Sequence, residues 1–265
     1  MNSHLVPVLI GGSLVLQLAA PARAQLAPAD VIVVVDSSAS MSAETSMVEQ
    51  SLNAFTANLE ASGISPRIIA IGDDSNGVSG LCVPAPLGSG SCPDDENSPV
   101  YVHIVESVGS NAALDTILEQ HPSFQGFLRS ASGKAIVVVS DDDSSLSAEA
   151  FDLQIAALDP TFAGYRFHAI AADYDPFSPA DPCRFVASDV GEEYLTLVAL
   201  RGGTFHNLCE PDFGAAFDAI ADDIIVQVPE PTDPLSAFGV VSTLLSILRW
   251  SAFRSRTANR GGSTR

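Results

Sequence analysis

The chain has 265 residues, which is enough for one domain with extended ends or for two small domains. Hydrophobic residues make up 46% of the sequence and charged residues only 17%, so the composition excludes an intrinsically disordered chain. The net charge is −20, and a surface this acidic repels phosphate backbones and argues against nucleic acid as a partner. Residues 25–232 contain 31 of the 32 acidic side chains but only six of the 12 basic ones, so the negative charge belongs to the central part of the chain.

The N-terminal segment, residues 1–24, has the pattern of a secretory signal peptide. An apolar stretch over residues 5–20 is followed by the small-x-small sequence Ala22-Arg23-Ala24. This order predicts export, with cleavage between Ala24 and Gln25. An uncleaved anchor is the alternative.

Strand and helix patterns then alternate through residues 25–227. The first and fourth apolar runs, VIVVV and AIVVV, are typical of strands that are buried on both faces of a sheet. Segments with apolar residues at helical spacing separate most of the runs, and one of these helices is predicted to begin at Ser147 as its N-cap. The predicted strands are 31–35, 67–71, 100–105, 135–139, 165–171 and 204–206, and the predicted helices are 47–61, 112–119, 147–158, 192–200 and 212–226.

This alternation predicts an α/β fold. Strands separated by helices of roughly 10–15 residues indicate right-handed crossovers, and hence a doubly wound, mostly parallel sheet with helices on both faces. We therefore expect one domain over residues 25–227. In such sheets, ligands bind beyond the carboxyl ends of the strands.

Three polar loops are predicted to meet at that edge. Asp36, Ser38 and Ser40 follow the first strand, Ser110 precedes the second helix, and Asp141 follows the fourth strand. Because residues two apart point the same way in an extended turn, Asp36, Ser38 and Ser40 can face one ion. The loops offer only carboxylate and hydroxyl oxygens, a ligand set that suits Mg²⁺, Ca²⁺ or Mn²⁺.

The sequence Asp36-x-Ser38-x-Ser40 after a buried strand resembles the D-x-S-x-S signature of von Willebrand factor type A domains, which defines their metal-ion-dependent adhesion site. The resemblance covers about residues 29–227 and also extends to the order of strands and helices. It implies that Ser38 and Ser40 are direct ligands, that Ser110 takes the family's threonine position, and that Asp141 takes its aspartate position. In the family, an open coordination position accepts an acidic group from a partner. The resemblance therefore implies cell adhesion or another interaction with a protein or glycan ligand, through a divalent cation for which Mg²⁺ is favoured.

Two features depart from the family pattern. Serine replaces threonine at position 110, which keeps the hydroxyl, and Asp142 stands where the family usually has glycine. Asp142 and Asp143 are either accessory ligands or solvated loop residues, and their charge favours cation retention while weakening the attraction for an acidic ligand. For Ser110, the alternative role is a helix N-cap.

Four cysteines in an exported chain predict disulfide bonds. Cys82 and Cys92 enclose a loop rich in glycine, proline and serine, so we expect a Cys82–Cys92 bond and, with it, a Cys183–Cys209 bond. Three connectivities are open to the sequence. A zinc site of all four cysteines is a weak alternative because the chain has no C-x-x-C pair.

Residues 228–265 have the pattern of a sorting or anchoring tail. Pro229-Glu230-Pro231 breaks the chain, an uncharged stretch lies between Asp233 and Arg249, and further arginines follow. This order resembles the PEP-CTERM tails of Gram-negative bacteria, which implies processing by an exosortase-type membrane protease. A simple membrane anchor formed by the apolar helix is the alternative. Both arrangements put the acidic domain outside the cytoplasm, in the cell envelope or the extracellular space.

The predicted function is that of an exported, envelope-associated binding protein rather than an enzyme. A structural matrix or envelope component with a purely stabilising cation is the main alternative. The sequence VVVSDDDSS also resembles the nucleophile loop of haloacid dehalogenases, which implies a Mg²⁺-dependent phosphatase with Asp141 as nucleophile and Asp143 as acid. That chemistry needs a nearby lysine, but the only lysine, Lys134, precedes the strand at its opposite end.

Overall fold

The computed structural model describes residues 26–210 and 212–227. The predicted signal peptide with its Ala24–Gln25 cleavage site, and the predicted tail with its Pro229-Glu230-Pro231 motif, lie outside the described residues. Among the residues that are described, no helix is long and apolar enough to span a membrane.

Strands and helices alternate as the sequence predicts, and each predicted element is present. The strands are β1 Ala27–Val35, β2 Ile64–Gly72, β3 Tyr101–Val105, β4 Gly133–Ser140, β5 Arg166–Ala171 and β6 Phe205–Asn207, and the helices are α1 Ser42–Ala61, α2 Ala113–Phe124, α3 Ala148–Leu158, α4 Glu192–Arg201 and α5 Phe213–Gln227. Ser147 is the N-cap of α3, as predicted, and its hydroxyl accepts a hydrogen bond from the Ala150 N–H.

Two boundaries differ from the prediction by five residues: α2 ends at Phe124 instead of residue 119, and α1 begins at Ser42 instead of residue 47. Its first turn is too polar to show apolar periodicity. Glu44 nevertheless suits the positive end of a helix dipole, and the Thr45 hydroxyl bonds the Met41 carbonyl oxygen at 3.0 Å.

All six strands are parallel, in the order β3-β2-β1-β4-β5-β6, and β1 is paired on both sides. Alternate residues of β1 enter two separate apolar layers, one with α1 and α5 and the other with α2, α3 and α4. In the first layer, the rings of Phe55 and Phe217 pack edge to face with 5.5 Å between centroids. The predicted doubly wound parallel sheet with helices on both faces is therefore confirmed.

A buried charge cluster lies at the amino ends of the central strands. The Asp30 carboxylate is fully buried and accepts hydrogen bonds from the Arg129 Nε at 2.7 Å and the Ser132 hydroxyl at 2.5 Å. The Lys134 ammonium lies 3.3 Å from the same carboxylate and donates to the Arg129 carbonyl oxygen and the Ser132 hydroxyl. Lys134, the only lysine of the chain, therefore forms its contacts at the amino ends of the strands, whereas Asp141 lies at their carboxyl ends.

Both predicted disulfide bonds are present. Cys82–Cys92 closes a loop between β2 and β3, and Cys183–Cys209 ties the segment after β5 to the segment after β6. The predicted connectivity is confirmed, and the alternative of a four-cysteine zinc site is wrong because all four sulfur atoms are used in disulfides.

A fully buried histidine makes the stability of the sheet sensitive to acid. The His168 Nδ1 on β5 accepts the Thr204 N–H at 3.1 Å. Burial lowers the pKa of His168 to about 4, because the protonated ring cannot be hydrated, although the nearby Asp223 carboxylate opposes the effect. The folded protein therefore keeps this ring neutral at pH values where an unfolded chain protonates it.

We expect the contribution of His168 to the free energy of unfolding to fall as the pH is lowered from about 6.5 towards 4, because the unfolded state then binds a proton that the folded state excludes. The His168 contribution to this loss is about 3 kcal/mol. His168→Asn keeps an acceptor for Thr204 and does not titrate. Urea unfolding at pH 7, 5.5 and 4 should show that the variant becomes more stable relative to the wild type as the pH falls. A difference that stays constant over this range contradicts the assignment.

Candidate metal site

One buried hydroxyl group connects the three loops that the sequence places at the carboxyl edge. The Ser140 Oγ lies 3.0 Å from the Asp36 Oδ2, 3.1 Å from the Ser110 carbonyl oxygen and 3.2 Å from the Asp142 amide nitrogen. The Asp36 N–H also bonds the Val139 carbonyl oxygen, which joins the ends of β1 and β4. The loops that carry Asp36, Ser110 and Asp141 therefore meet at one place.

The Asp36 carboxylate is fully buried and held from two sides. Its Oδ1 accepts the Ser38 N–H at 2.7 Å, and its Oδ2 accepts the Ser140 hydroxyl. The Ser38 and Ser40 hydroxyl oxygens lie 3.0 Å apart, so these two side chains point the same way, as the sequence predicts. One short turn thus presents two hydroxyl groups next to an oriented carboxylate.

The Asp141 carboxylate is only half satisfied. Its side chain is buried, its Oδ2 lies 3.4 Å from the Ser188 hydroxyl, and its Oδ1 makes no hydrogen bond within the described part of the chain. Burial raises the pKa of Asp141; the Ser40 and Ser188 hydroxyls oppose this rise, while the negative charges of Asp36 and Asp142 add to it. Within the described residues, no arginine or lysine forms an ion pair with this carboxylate.

Ser110 does not cap a helix, so that alternative is wrong. Helix α2 begins at Ala113 with Ala112 as its N-cap residue and with no side-chain cap. Ser110 is half-buried in the preceding loop, and its carbonyl oxygen is the atom that contacts Ser140.

The two additional aspartates have different surroundings. The Asp142 Oδ1 accepts the Asp143 N–H at 2.9 Å, and the Asp143 Oδ1 accepts the Glu193 N–H at the start of α4 at 3.0 Å. Burial raises the pKa of Asp143, and the charges of Glu193 and Asp189 raise it further. Asp143 is therefore engaged with α4, and both side chains are half-buried rather than fully solvated.

Two serines that the sequence did not indicate as site residues hold the loop after β1 in place. The Ser37 hydroxyl accepts the N–H groups of Asp73, after β2, and of Val108, after β3, at 3.0 and 3.3 Å. The Ser79 hydroxyl donates to the Ser38 carbonyl oxygen at 2.6 Å. The first loop is thereby fixed to the ends of two neighbouring strands, which preorganises the positions of Ser38 and Ser40.

Tyr194 is a further site residue that sequence reasoning missed. It lies on α4, is fully buried, and its hydroxyl has no hydrogen-bond partner among the residues that the structure describes. Burial raises the pKa of Tyr194; the neighbouring Ser140 hydroxyl opposes this rise, and the charges of Asp143, Asp36 and Asp142 add to it. Nothing in the sequence around Tyr194 links it to loops that precede it by more than fifty residues, so only the fold reveals it.

The oxygen ligands at this edge suit a hard cation. Two buried carboxylates, Asp36 and Asp141, lie with the hydroxyls of Ser38 and Ser40, and oxygen ligands of this kind bind Mg²⁺ and Ca²⁺. No three His, Cys, Asp or Glu side chains gather closely enough to hold a metal over residues 26–210 and 212–227. A cation here would therefore need serine hydroxyls or water as additional ligands.

The chain matches no protein-family model and no curated protein sequence.

Terbium(III), a hard cation that accepts excitation energy from a nearby tyrosine, can test the position of Tyr194. In a Trp250→Phe background, which removes the only tryptophan, we expect terbium emission on excitation of tyrosine. Tyr194→Phe should lower this emission because the Tyr194 hydroxyl neighbours Ser140 at the site. Tyr165→Phe is the matched control, since Tyr165 is also buried but bonds Asp152 away from these loops. Equal emission from the two variants, with both folded by circular dichroism, contradicts the assignment.

Proposed function

We propose that residues 25–227 form an exported binding module of the von Willebrand A type, which holds a divalent cation between the loops after β1 and β4. The cation, with Mg²⁺ favoured over Ca²⁺ and Mn²⁺, bridges the protein to an oxygen-bearing group on a protein or glycan partner. The two disulfide bonds fit an oxidising compartment outside the cytoplasm. Envelope attachment or processing through the PEP-CTERM-like tail belongs to the same proposal.

The unpartnered Asp141 Oδ1 is the observation that carries the proposal. A buried acceptor without a donor destabilises a fold by roughly 1–3 kcal/mol, and a charged one by more. The Asp36 carboxylate adds a second buried negative charge to the same cluster, and no arginine or lysine pairs with either carboxylate in the described residues. A bound cation removes both penalties at once.

The hydrogen bonds support a division of roles among the ligands. Both Asp36 oxygens already accept protein hydrogen bonds, so Asp36 supplies charge through a remaining lone pair or through water. The Asp141 Oδ1 and the hydroxyls of Ser38 and Ser40 are the candidates for direct contact, with Ser110 direct or bridged by water. A coordination position left open on this cation is where a partner binds.

A structural cation is the second candidate function. Asp142 and Asp143 add negative charge beside Asp141, which holds a cation more firmly but repels a carboxylate from a partner. The phosphatase alternative has less support, because Lys134 is hydrogen-bonded at the opposite edge of the sheet.

We expect Asp141→Asn to weaken Mg²⁺ binding at least about tenfold in calorimetric titration, because it removes a charged ligand worth more than about 1.4 kcal/mol. Asp189→Asn is the matched control, since it removes one exposed carboxylate from the neighbouring loop. Equal affinities for the two variants would end the metal-site proposal.

Removal of the cation distinguishes the two candidate functions. A binding module should stay folded in EDTA at 25 °C and lose only the stability that mass action adds, about 2.7 kcal/mol at a hundredfold excess of cation over its dissociation constant. If the cation is structural, near-ultraviolet circular dichroism should instead collapse in EDTA and recover when Mg²⁺ is restored.

A further inference from the structure

Both exposed phenylalanines of the described residues lie on one loop, which joins β5 to α4 and is here called the β5–α4 loop (residues 172–191). Phe177 is 90% exposed and Phe185 77% exposed, and Val186 beside it is 65% exposed. The other phenylalanines over residues 26–227 are buried or half-buried. Three exposed apolar side chains therefore fall within ten residues of one loop, and exposed apolar surface concentrated in this way is characteristic of interaction sites.

The β5–α4 loop is held in place, so these side chains are presented on a fixed surface. The Cys183–Cys209 bond ties the loop to the segment after β6, and the Asn207 side chain donates to the Asp173 carbonyl oxygen at 2.6 Å. The N–H groups of Ser188 and Asp189 bond the Asp141 carbonyl oxygen at 2.8 and 3.2 Å. A partner that binds here therefore loses little affinity to ordering of the loop.

The charge around these apolar side chains has one dominant sign. The loop contains four aspartates, Asp173, Asp175, Asp181 and Asp189, against a single cation, Arg184. Glu192 and Glu193 follow directly at the start of α4. An acidic partner is repelled by this field, whereas a basic partner is attracted by it at long range.

We propose that the β5–α4 loop is a docking surface for a partner protein that presents apolar side chains flanked by lysine or arginine. The partner's apolar side chains pack on Phe177, Phe185 and Val186, and its cations pair with the surrounding carboxylates or lie over the exposed rings. The contact does not depend on a bound cation, so this inference stands apart from the proposed metal site. It adds a partner of defined chemistry to a module whose partner is otherwise unspecified.

Four synthetic peptides of equal length test the proposal. The first is basic and contains phenylalanine and leucine, and the second is basic but has serine in place of these apolar residues. The third and fourth are the corresponding acidic peptides, with and without the apolar residues. Each is titrated into the oxidised full chain, and binding is followed by fluorescence anisotropy. We expect the basic apolar peptide to bind most tightly. The double variant Phe177→Ser, Phe185→Ser should weaken that peptide at least about tenfold and leave the basic polar peptide unchanged, since aromatic anchors carry most of the energy of such contacts.

Leu153→Ser is the matched control, because Leu153 is 72% exposed on α3, outside the loop. Leu153→Ser should leave all four affinities unchanged. The wild type titrated in EDTA should give the same order of affinities as in Mg²⁺, which separates this result from the fate of the metal site. The proposal is overturned if the two basic peptides bind equally, if an acidic peptide binds best, or if Leu153→Ser is as damaging as the double variant. It is also overturned if the phenylalanines are needed only for binding to phosphatidylcholine vesicles, which would make the loop a membrane contact.

Discussion

Buried carboxylates at the two ends of the central strands are the constraint around which this structure is arranged. Removing a carboxylate from water is costly unless hydrogen bonds and a positive charge replace the water. At the amino edge, the Asp30 carboxylate accepts hydrogen bonds from Arg129 and Ser132 and forms an ion pair with Lys134. The protein therefore supplies both the hydrogen bonds and the positive charge. At the carboxyl edge, Asp36 and Asp141 receive hydroxyl and N–H donors but no arginine or lysine within the described residues. The protein itself neutralises the buried carboxylate at the amino edge but not those at the carboxyl edge, which is why we propose that an external cation binds at the carboxyl edge.

The two functional surfaces that we propose share one residue. The Asp141 side chain faces the candidate metal site, while its carbonyl oxygen accepts the N–H groups of Ser188 and Asp189 in the β5–α4 loop. The exposed Phe185 and Val186 lie only a few residues before that contact. A cation and a docked partner would therefore act on neighbouring parts of one braced edge, although each interaction has its own chemical basis.

The acidic residues around the site shape what can bind there. Asp142 contributes charge beside Asp141, and Asp143 contributes it at the start of α4. This distribution favours the retention of a cation and disfavours a carboxylate ligand, in contrast to the acidic ligand that the family resemblance implies. An uncharged oxygen at the cation, together with basic and apolar groups on the loop, fits the observed charges better.

Sequence patterns alone determined the strands and helices, the parallel doubly wound sheet and the turn that holds Ser38 and Ser40. They favoured the two disulfide pairs, which the structure then selected from three connectivities. These features follow from local periodicity, from residue types in short turns and from the spacing of four cysteines, all of which are written in contiguous stretches of chain. The tertiary structure decided the rest. Three contacts join residues that are tens of positions apart in the chain: Ser140 with Asp36, Ser188 with Asp141, and Tyr194 with Ser140. The start of α1 lies in a polar turn that shows no apolar periodicity. Such contacts leave no local pattern, because they exist only once parallel strands bring their carboxyl ends to one edge.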